Sequence, residues 1–326
     1  AGAHCDHERH PHWRIPVYSL YGASRKPTPA MLRHVDVLVF DMQDLAARCY
    51  TYVSTLQYVL EAAAACDKPV IVADRPVPLP RVIDGPRKEP AFESFVSLAD
   101  VPMSYGMTPG EVAGLLVERL GLKVDLRVAR LRGYARDAHR GADWPPWLPP
   151  SPAIVSWECA QSFPATVCFE GIGAVDHGRK TGLPFQLVGA PWTKSVALAE
   201  ALNALDLPGV RFHAHRYDST PRLDEAHGLD GVRFVITAPH RFRPVETGIA
   251  LVAALQRLYG RRRLWENPEA RPDFFDKLLG TDQVRLALLD GEDGQTIAAR
   301  WQKDLRAFDR LRRRHLLYAA RPEARV

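Results

Sequence analysis

The sequence predicts an α/β fold, with a parallel sheet in the N-terminal half and a second α/β unit after it. Three observations carry that expectation. A β-α-β signature occupies residues 35–75, a proline-dense stretch at residues 143–152 interrupts the chain, and 326 residues suffice for two domains.

The signature comes first. Val35, Val37, Leu38, Val39 and Phe40 form a short apolar run rich in β-branched residues, which reads as a strand buried on both faces. A helix follows, with Val53, Leu56, Leu60 and Ala63 on one face at three- and four-residue spacing. A second buried strand, Pro69-Val70-Ile71-Val72, ends in Asp74-Arg75-Pro76. Crossovers of this kind are right-handed in parallel sheets, and open α/β sheets bind ligands beyond the carboxyl ends of their strands. Asp41, Gln43, Asp44 and Arg48 after one strand, and Asp74 and Arg75 after the other, are therefore expected along one edge of one sheet.

The remaining elements follow in chain order. His4, Cys5, His7, His10 and His12 are zinc-ligand types, but their spacing fits no closed metal site and reads as a solvated loop. Residues 17–22 read as a short strand and turn. Thr28-Pro29 reads as a helix start, with Thr28 as N-cap and Pro29 at the first position. Residues 81–90 form a Pro/Gly-rich loop carrying Asp84 and Glu89. Thr108-Pro109-Gly110-Glu111 is a capping signature, followed by the helical face Val112, Leu115, Leu116 and Leu120. Residues 126–131 read as a strand. The proline density of DWPPWLPPSP excludes helix and central strand, which divides the chain into domains 1–151 and 152–326. Beyond it, residues 165–169 read as a strand, then Glu170-Gly171 and a loop through Arg179. An amphipathic helix is expected over residues 195–205, strands over 210–213 and 232–236, a helix over 244–259 closed by Gly260, and one long helix over 296–317. The clusters Arg261-Arg262-Arg263 and Arg312-Arg313-Arg314 read as helix ends or solvated faces.

Composition narrows the function classes. Hydrophobic residues at 46% and charged residues at 25% are ordinary globular values. No apolar run reaches the roughly 18 residues of a membrane span. The 43 Lys+Arg against 38 Asp+Glu give a net charge of +5, and the pI is near 9.0. That suits an anionic partner, but no aromatic-interleaved basic stripe or DNA-binding motif points to nucleic acid. Five cysteines without a C-x-x-C do not make a disulfide framework; Cys49 and Cys168 read as small buried residues. The chain starts at Ala1 without methionine, and a doubly wound domain usually has strands before such a unit. Further N-terminal sequence is therefore expected.

Asp41, Asp44, Asp74, Asp84 and Glu170 stand where this architecture places sites. Glycosidic hydrolysis requires two carboxyl groups, one to protonate the leaving oxygen and one to activate water or attack. Arg48, Arg75 and Arg179 suit bidentate recognition of a carboxylate or of sugar hydroxyls, and Trp144, Trp147 and Trp192 suit stacking on a sugar ring. Structural readings stand beside these: Asp41 as a turn cap, Asp74 and Arg75 as partners of each other or of Arg48, Glu170 as a loop cap, and the tryptophans as core. G-x-G-x-x-G is absent after the first strand, and GAVDHGRK (residues 173–180) departs from a P-loop, with its lysine one place late and Leu183-Pro184 breaking the required helix. No Ser–His–Asp order or G-x-S-x-G elbow is present.

At these residues the chain resembles the NamZ-type exo-β-N-acetylmuramidases of cell-wall recycling. The matching stretches are VYSLYG (17–22), RKPTP (25–29), residues 35–52, ADRPVP (73–78), residues 94–96, YGMT (105–108), PPSP (149–152), FEG (169–171) and GAPW (189–192). The resemblance implies a Rossmann-like N-terminal domain, a smaller α/β C-terminal domain and a cleft between them. It implies release of terminal N-acetylmuramic acid from the non-reducing end of peptidoglycan fragments, with no cofactor and no metal. In that frame Asp41, Asp44 and Glu170 are the catalytic candidates, and Arg48, Tyr50, Asp74, Arg75, Arg179 and Trp192 the substrate-binding ones. Arg48 and Arg179 would hold the lactyl carboxylate. The family's Pro-Glu-His-Gly motif precedes the point where this chain begins. Within the chain, Ala46 stands for a glycine, Cys49 for an aromatic residue, Val77 for an asparagine, Pro80 and Arg81 for glycines, Asp84 for a glutamate and Gln186 for a glutamate; Asp176 to Lys180 depart from Ser-x-Gly-Arg-Gly. A saccharide-binding protein without turnover and a hydrolase of other sugar specificity are the rival expectations. The substrate implies the periplasm or cell exterior, with cytoplasmic recycling open.

Overall fold

A computed structural model describes residues 6–136, 146–218 and 228–319. The expected β-α-β unit is present. After a small antiparallel ladder of β1 (Glu8–Arg9) and β2 (Pro16–Val17), helix α1 (Pro29–Leu32) starts at Thr28, whose hydroxyl accepts from the Met31 N–H at 3.3 Å. Strand β3 (Leu38–Phe40) leads through helix α2 (Tyr52–Ala65) to β4 (Val70–Ala73), and β4 through α3 (Pro109–Leu120) to β5 (Leu126–Ala129). The three strands pair in parallel in the order β3-β4-β5, Leu38 opposite Val70 and Val70 opposite Leu126. The capping box forms as expected: Thr108 accepts from the Glu111 N–H, and the Glu111 carboxylate accepts from the Thr108 N–H.

Val53, Leu56 and Leu60 of α2 and Val112, Leu115 and Leu116 of α3 close with Phe40, Val70 and Val72 into one core. Both helices lie on one face of the sheet. On the other, Val39 is 61% exposed and the Arg127 side chain 69%. The expectation of a strand buried on both faces is therefore corrected for β3: apolar residues on both faces do not establish that both are covered.

Two further expectations are corrected in the second half. Residues 165–169 are not a strand. Helix α4 (Trp157–Thr166) begins at Ser156, whose hydroxyl accepts from the Cys159 N–H, and passes into a 3-10 turn, Val167–Gly171. A short apolar run cannot separate a buried helix from a strand, and here the helix start lies nine residues upstream of residue 165. The second sheet comes later, as β6 (Leu187–Ala190), β7 (Val210–Tyr217) and β8 (Leu229–Ile236), antiparallel in the order β6-β8-β7. Helix α5 (Ser195–Asn203) lies between β6 and β7, and α6 (Pro244–Tyr259) follows β8 and stops at Gly260 as expected. Gly248 of α6 faces α4 so closely that a Cβ would stand 2.0 Å from the Ala165 carbonyl oxygen.

After α7 (Arg261–Trp265), α8 (Pro272–Leu279) and α9 (Gln283–Leu289), the expected single helix over 296–317 is divided. Helix α10 (Gly294–Ala299) is capped by Asp293, α11 (Gln302–Arg312) follows, and a 3-10 turn, Arg313–His315, ends it. The break falls at Trp301, which is buried, with its indole N–H 3.3 Å from Asp84 Oδ1.

Buried polar ties hold the two halves together. Asp84 is fully buried and accepts from the Val245 and Glu246 N–H groups at 2.8 and 3.1 Å, capping α6 from the other half of the chain. Arg48 donates from Nη1 to the carbonyls of Pro86 (3.0 Å) and Val101 (2.8 Å) and from Nη2 to that of Leu279 (2.5 Å). Gly280, in the left-handed region at φ +74°, lies against this guanidinium; a Cβ there would stand 2.6 Å from Nη2. The C-terminal segment returns to the first half, with the Tyr318 hydroxyl donating to Asp74 at 2.6 Å and Arg312 to the Gly106 carbonyl at 2.9 Å.

Candidate active site

The loop from β3 to α2 turns sharply at Ala46, which lies in the left-handed region at φ +53°. A Cβ in that conformation costs roughly 1–2 kcal/mol, which gives a physical reason for the glycine that the family resemblance leads one to expect at this place. The turn folds the backbone around Asp44. Its Oδ1 accepts from the Leu45 N–H at 2.8 Å and its Oδ2 from the Tyr105 hydroxyl. The side chain is 2% exposed. Burial pushes its pKa up to about 6, against the pull of the Tyr105 hydroxyl and of the Leu45 and Ala46 N–H groups. Tyr50 and Tyr52 lie within the field of the same carboxyl.

A second polar group faces this one across a run of rings. Tyr50 meets Phe163 edge-on with centroids 5.5 Å apart, Phe163 meets Phe185 at 5.0 Å, and His177 lies 5.3 Å from Phe185. His177 Nε2 is 4.0 Å from Glu170, and Arg179 donates to Glu170 Oε1 at 2.5 Å. The Glu170 side chain is 12% and that of Arg179 29% exposed. Glu170 and Cys49 are also close enough to interact: burial is the main cause that pushes the Cys49 thiol up to about 12, Arg48 opposes it, and the Glu170 charge adds to it.

Among the residues anticipated from sequence, Tyr50 lies within the field of Asp44 at one end of this run of rings, and Arg179 pairs with Glu170 at the other. The others lie elsewhere or are committed otherwise. Asp41 and Arg75 form a surface pair, Arg75 Nε to Asp41 Oδ1 at 2.7 Å, with side chains 53% and 37% exposed. This pair is neither the turn cap expected of Asp41 nor the partnership with Asp74 or Arg48 expected of Arg75. Asp74 accepts from the Gly110 N–H (2.8 Å), the Thr108 hydroxyl (2.8 Å) and the Tyr318 hydroxyl (2.6 Å). It is thus bound to the start of α3 and to the C-terminal segment, not to the Asp44 shell. Arg48 is corrected most clearly. At 0% exposure, with both terminal nitrogens on backbone carbonyls, it presents nothing to a substrate carboxylate, and burial lowers its pKa to about 10. Trp192 packs on Tyr259 at 5.3 Å, with the Arg263 guanidinium 5.5 Å over its ring. Trp147 donates to the Ile154 carbonyl at 2.9 Å, and Trp144, His4 and Cys5 lie outside the described residues. Residues 173–180 are turns with no helix after them, as the departures from a P-loop led one to expect.

Four residues of the site were not candidates in the sequence: Tyr105, Phe163, His177 and Phe185. Tyr105, inside YGMT, and His177, inside residues 173–180, stood in stretches that carried a signal, and Phe163 and Phe185 did not. Among the described residues, no group of three or more His, Cys, Asp and Glu side chains is placed to hold a metal ion, and no helix is long and apolar enough to cross a membrane.

Both halves of the chain match known proteins. The model of the N-terminal part of the exo-β-N-acetylmuramidase NamZ matches residues 1–158, and that of its C-terminal part residues 161–318. The peptidoglycan β-N-acetylmuramidase NamZ of Bacillus subtilis (strain 168) is 37% identical over 312 residues, 93% of this chain and 72% of the relative. Two solved DUF1343-family proteins of Bacteroides fragilis NCTC 9343 share the fold. One superposes with a TM-score of 0.88 at 32% identity, covering 95% of this chain and 82% of the other. The second has a TM-score of 0.70 at 27% identity, covering 96% and 82%.

Proposed function

The chain belongs to the NamZ family of exo-β-N-acetylmuramidases, and on that premise we propose that it is a glycoside hydrolase releasing terminal N-acetylmuramic acid from the non-reducing ends of peptidoglycan fragments. The observation that carries the proposal is that both family models match, one over residues 1–158 and the other over residues 161–318. Asp44 and Glu170 lie inside these matches, and a run of rings leads from Tyr50, within the field of Asp44, to His177, 4.0 Å from Glu170.

The chemistry assigns roles by environment. A carboxyl with its pKa near 6 still carries its proton in mildly acidic water and can pass it to a glycosidic oxygen. Asp44 is the candidate proton donor. Glu170, ion-paired with Arg179, is the candidate carboxylate for the anomeric side, as general base or nucleophile. Arg179 gives one nitrogen to Glu170. The remainder of its planar fork suits the lactyl carboxylate that distinguishes muramic acid from glucosamine.

A chromogenic N-acetylmuramic acid glycoside tests this reading beside the corresponding N-acetylglucosaminide. Release of the chromophore from the muramic acid compound, at least about a hundredfold faster than from its partner, is expected from a site that reads the lactyl group through a charged hydrogen bond. Equal rates on both would remove the lactyl recognition, and no release from either would remove the hydrolase.

A further inference from the structure

Beyond Asp44 the structure carries a wall of rings that the cleavage chemistry leaves unused. The buried Tyr50 hydroxyl lies beside Ser151 and Tyr52, and Tyr52 packs edge-on to Tyr50 with centroids 4.8 Å apart. The Tyr52 hydroxyl donates to the Pro150 carbonyl at 2.6 Å, and burial raises its pKa, with Tyr50 opposing and Tyr21 and Asp44 adding to it. Tyr21 is fixed by its hydroxyl on Thr51 at 3.1 Å and meets Phe95 edge-on at 6.1 Å. Phe95 stacks with Tyr58 at 6.2 Å and an interplanar angle of 14°. Tyr21, Tyr52, Tyr58 and Phe95 are all half-buried, so each keeps part of its surface open.

A cation completes the wall. The Arg25 guanidinium lies 4.3 Å over the Phe95 ring and 5.9 Å from that of Tyr21. The neighbouring Lys26 is paired with Glu61 at 2.7 Å, whereas Arg25, itself exposed, has no carboxylate partner among the described residues. A guanidinium held over rings and free of a carboxylate partner is ordered in advance for a planar anion. Sugar rings in turn present apolar C–H faces that suit aromatic surfaces.

We propose that this wall is the leaving-group side of the cleft and that it selects longer acidic saccharides. The sugar after the scissile bond lies against Tyr52 and Tyr21, and Arg25 takes the carboxylate of a second muramic acid residue farther along. The proposal rests on the hydrolase reading and deepens it.

The test compares two substrates, a tetrasaccharide of alternating N-acetylmuramic acid and N-acetylglucosamine and the chromogenic monosaccharide. Their ratio of kcat/KM is the readout. In Arg25→Ala the ratio falls about tenfold or more, the size of one charged hydrogen bond, and Arg25→Lys retains part of it. A tetrasaccharide whose second carboxyl is reduced to an alcohol shows the same loss with unaltered protein. Phe95→Ala lowers the ratio as well; should that variant not fold, the surface residue Arg25 carries the test alone. A ratio unchanged in Arg25→Ala overturns the proposal. If the unaltered protein cleaves neither substrate, the hydrolase reading fails separately. The wall is then judged by calorimetric binding of the tetrasaccharide: a Kd raised about tenfold by Arg25→Ala supports it, and an equal Kd overturns it.

Discussion

Asp44→Asn is expected to lower kcat by about a hundred- to ten-thousandfold, the usual contribution of a positioned general acid, while the protein remains folded. The amide is nearly the same size, still accepts from the Leu45 N–H, and carries no charge into a site that is 2% exposed. Removing the charge is favourable in itself. Between the ordinary carboxyl pKa and about 6, the folded chain keeps a proton that the unfolded chain has released. Stability therefore falls as pH rises through that window, by on the order of 3 kcal/mol in full, and is flat above it. Asp44→Asn abolishes that slope. The same titration governs catalysis with the same sign: the donor is lost as pH rises, so kcat/KM of the unaltered protein declines above about pH 6. Thermal denaturation and a pH–rate profile, taken side by side, measure both. An Asp44→Asn variant with more than a tenth of normal turnover would take the donor role from this residue.

Arg48→Ala is expected to destabilise the fold by about 3–5 kcal/mol, because three backbone carbonyls lose a charged donor at once and a buried space opens. For a chain of this size that is a fall in Tm of roughly 4–7 °C. The loss concerns the seam between the halves, since Pro86 and Val101 belong to the first and Leu279 to the second. Calorimetry or circular dichroism gives the answer directly. A variant with normal Tm and a raised KM would restore Arg48 to the substrate site, where the family resemblance had placed it.

These two residues mark how far the sequence can be read. Both stand in the same stretch, 35–52, and both are polar beside a strand end, so their chemistry alone supports the same role for each. What separates them is contact at long range: Tyr105 closes on Asp44 from 61 residues away, and Leu279 closes on Arg48 from 231. Local signals were legible where the physics is local. The Thr108 capping box, the Pro29 start and the Gly260 stop are each settled within one helical turn. The parallel sheet followed from periodicity. The helix over 157–166 was not legible because an apolar β-branched run is equally compatible with a buried helix. The broken C-terminal helix was hidden because its interruption is set by Trp301 meeting Asp84, 217 residues earlier. The ring path from Tyr50 to His177 is likewise a property of packing, since Phe163 and Phe185 carry no sequence pattern that marks them.

The most direct test of the central claim is a product analysis. The tetrasaccharide is first reduced at its reducing end with borohydride, so that its two ends differ in mass, and then digested and analysed by mass spectrometry. An exo-acting enzyme working from the non-reducing end releases unreduced N-acetylmuramic acid and leaves a reduced trisaccharide as the first products. Disaccharides as the first products, or a released sugar that carries the reduced end, would contradict the account.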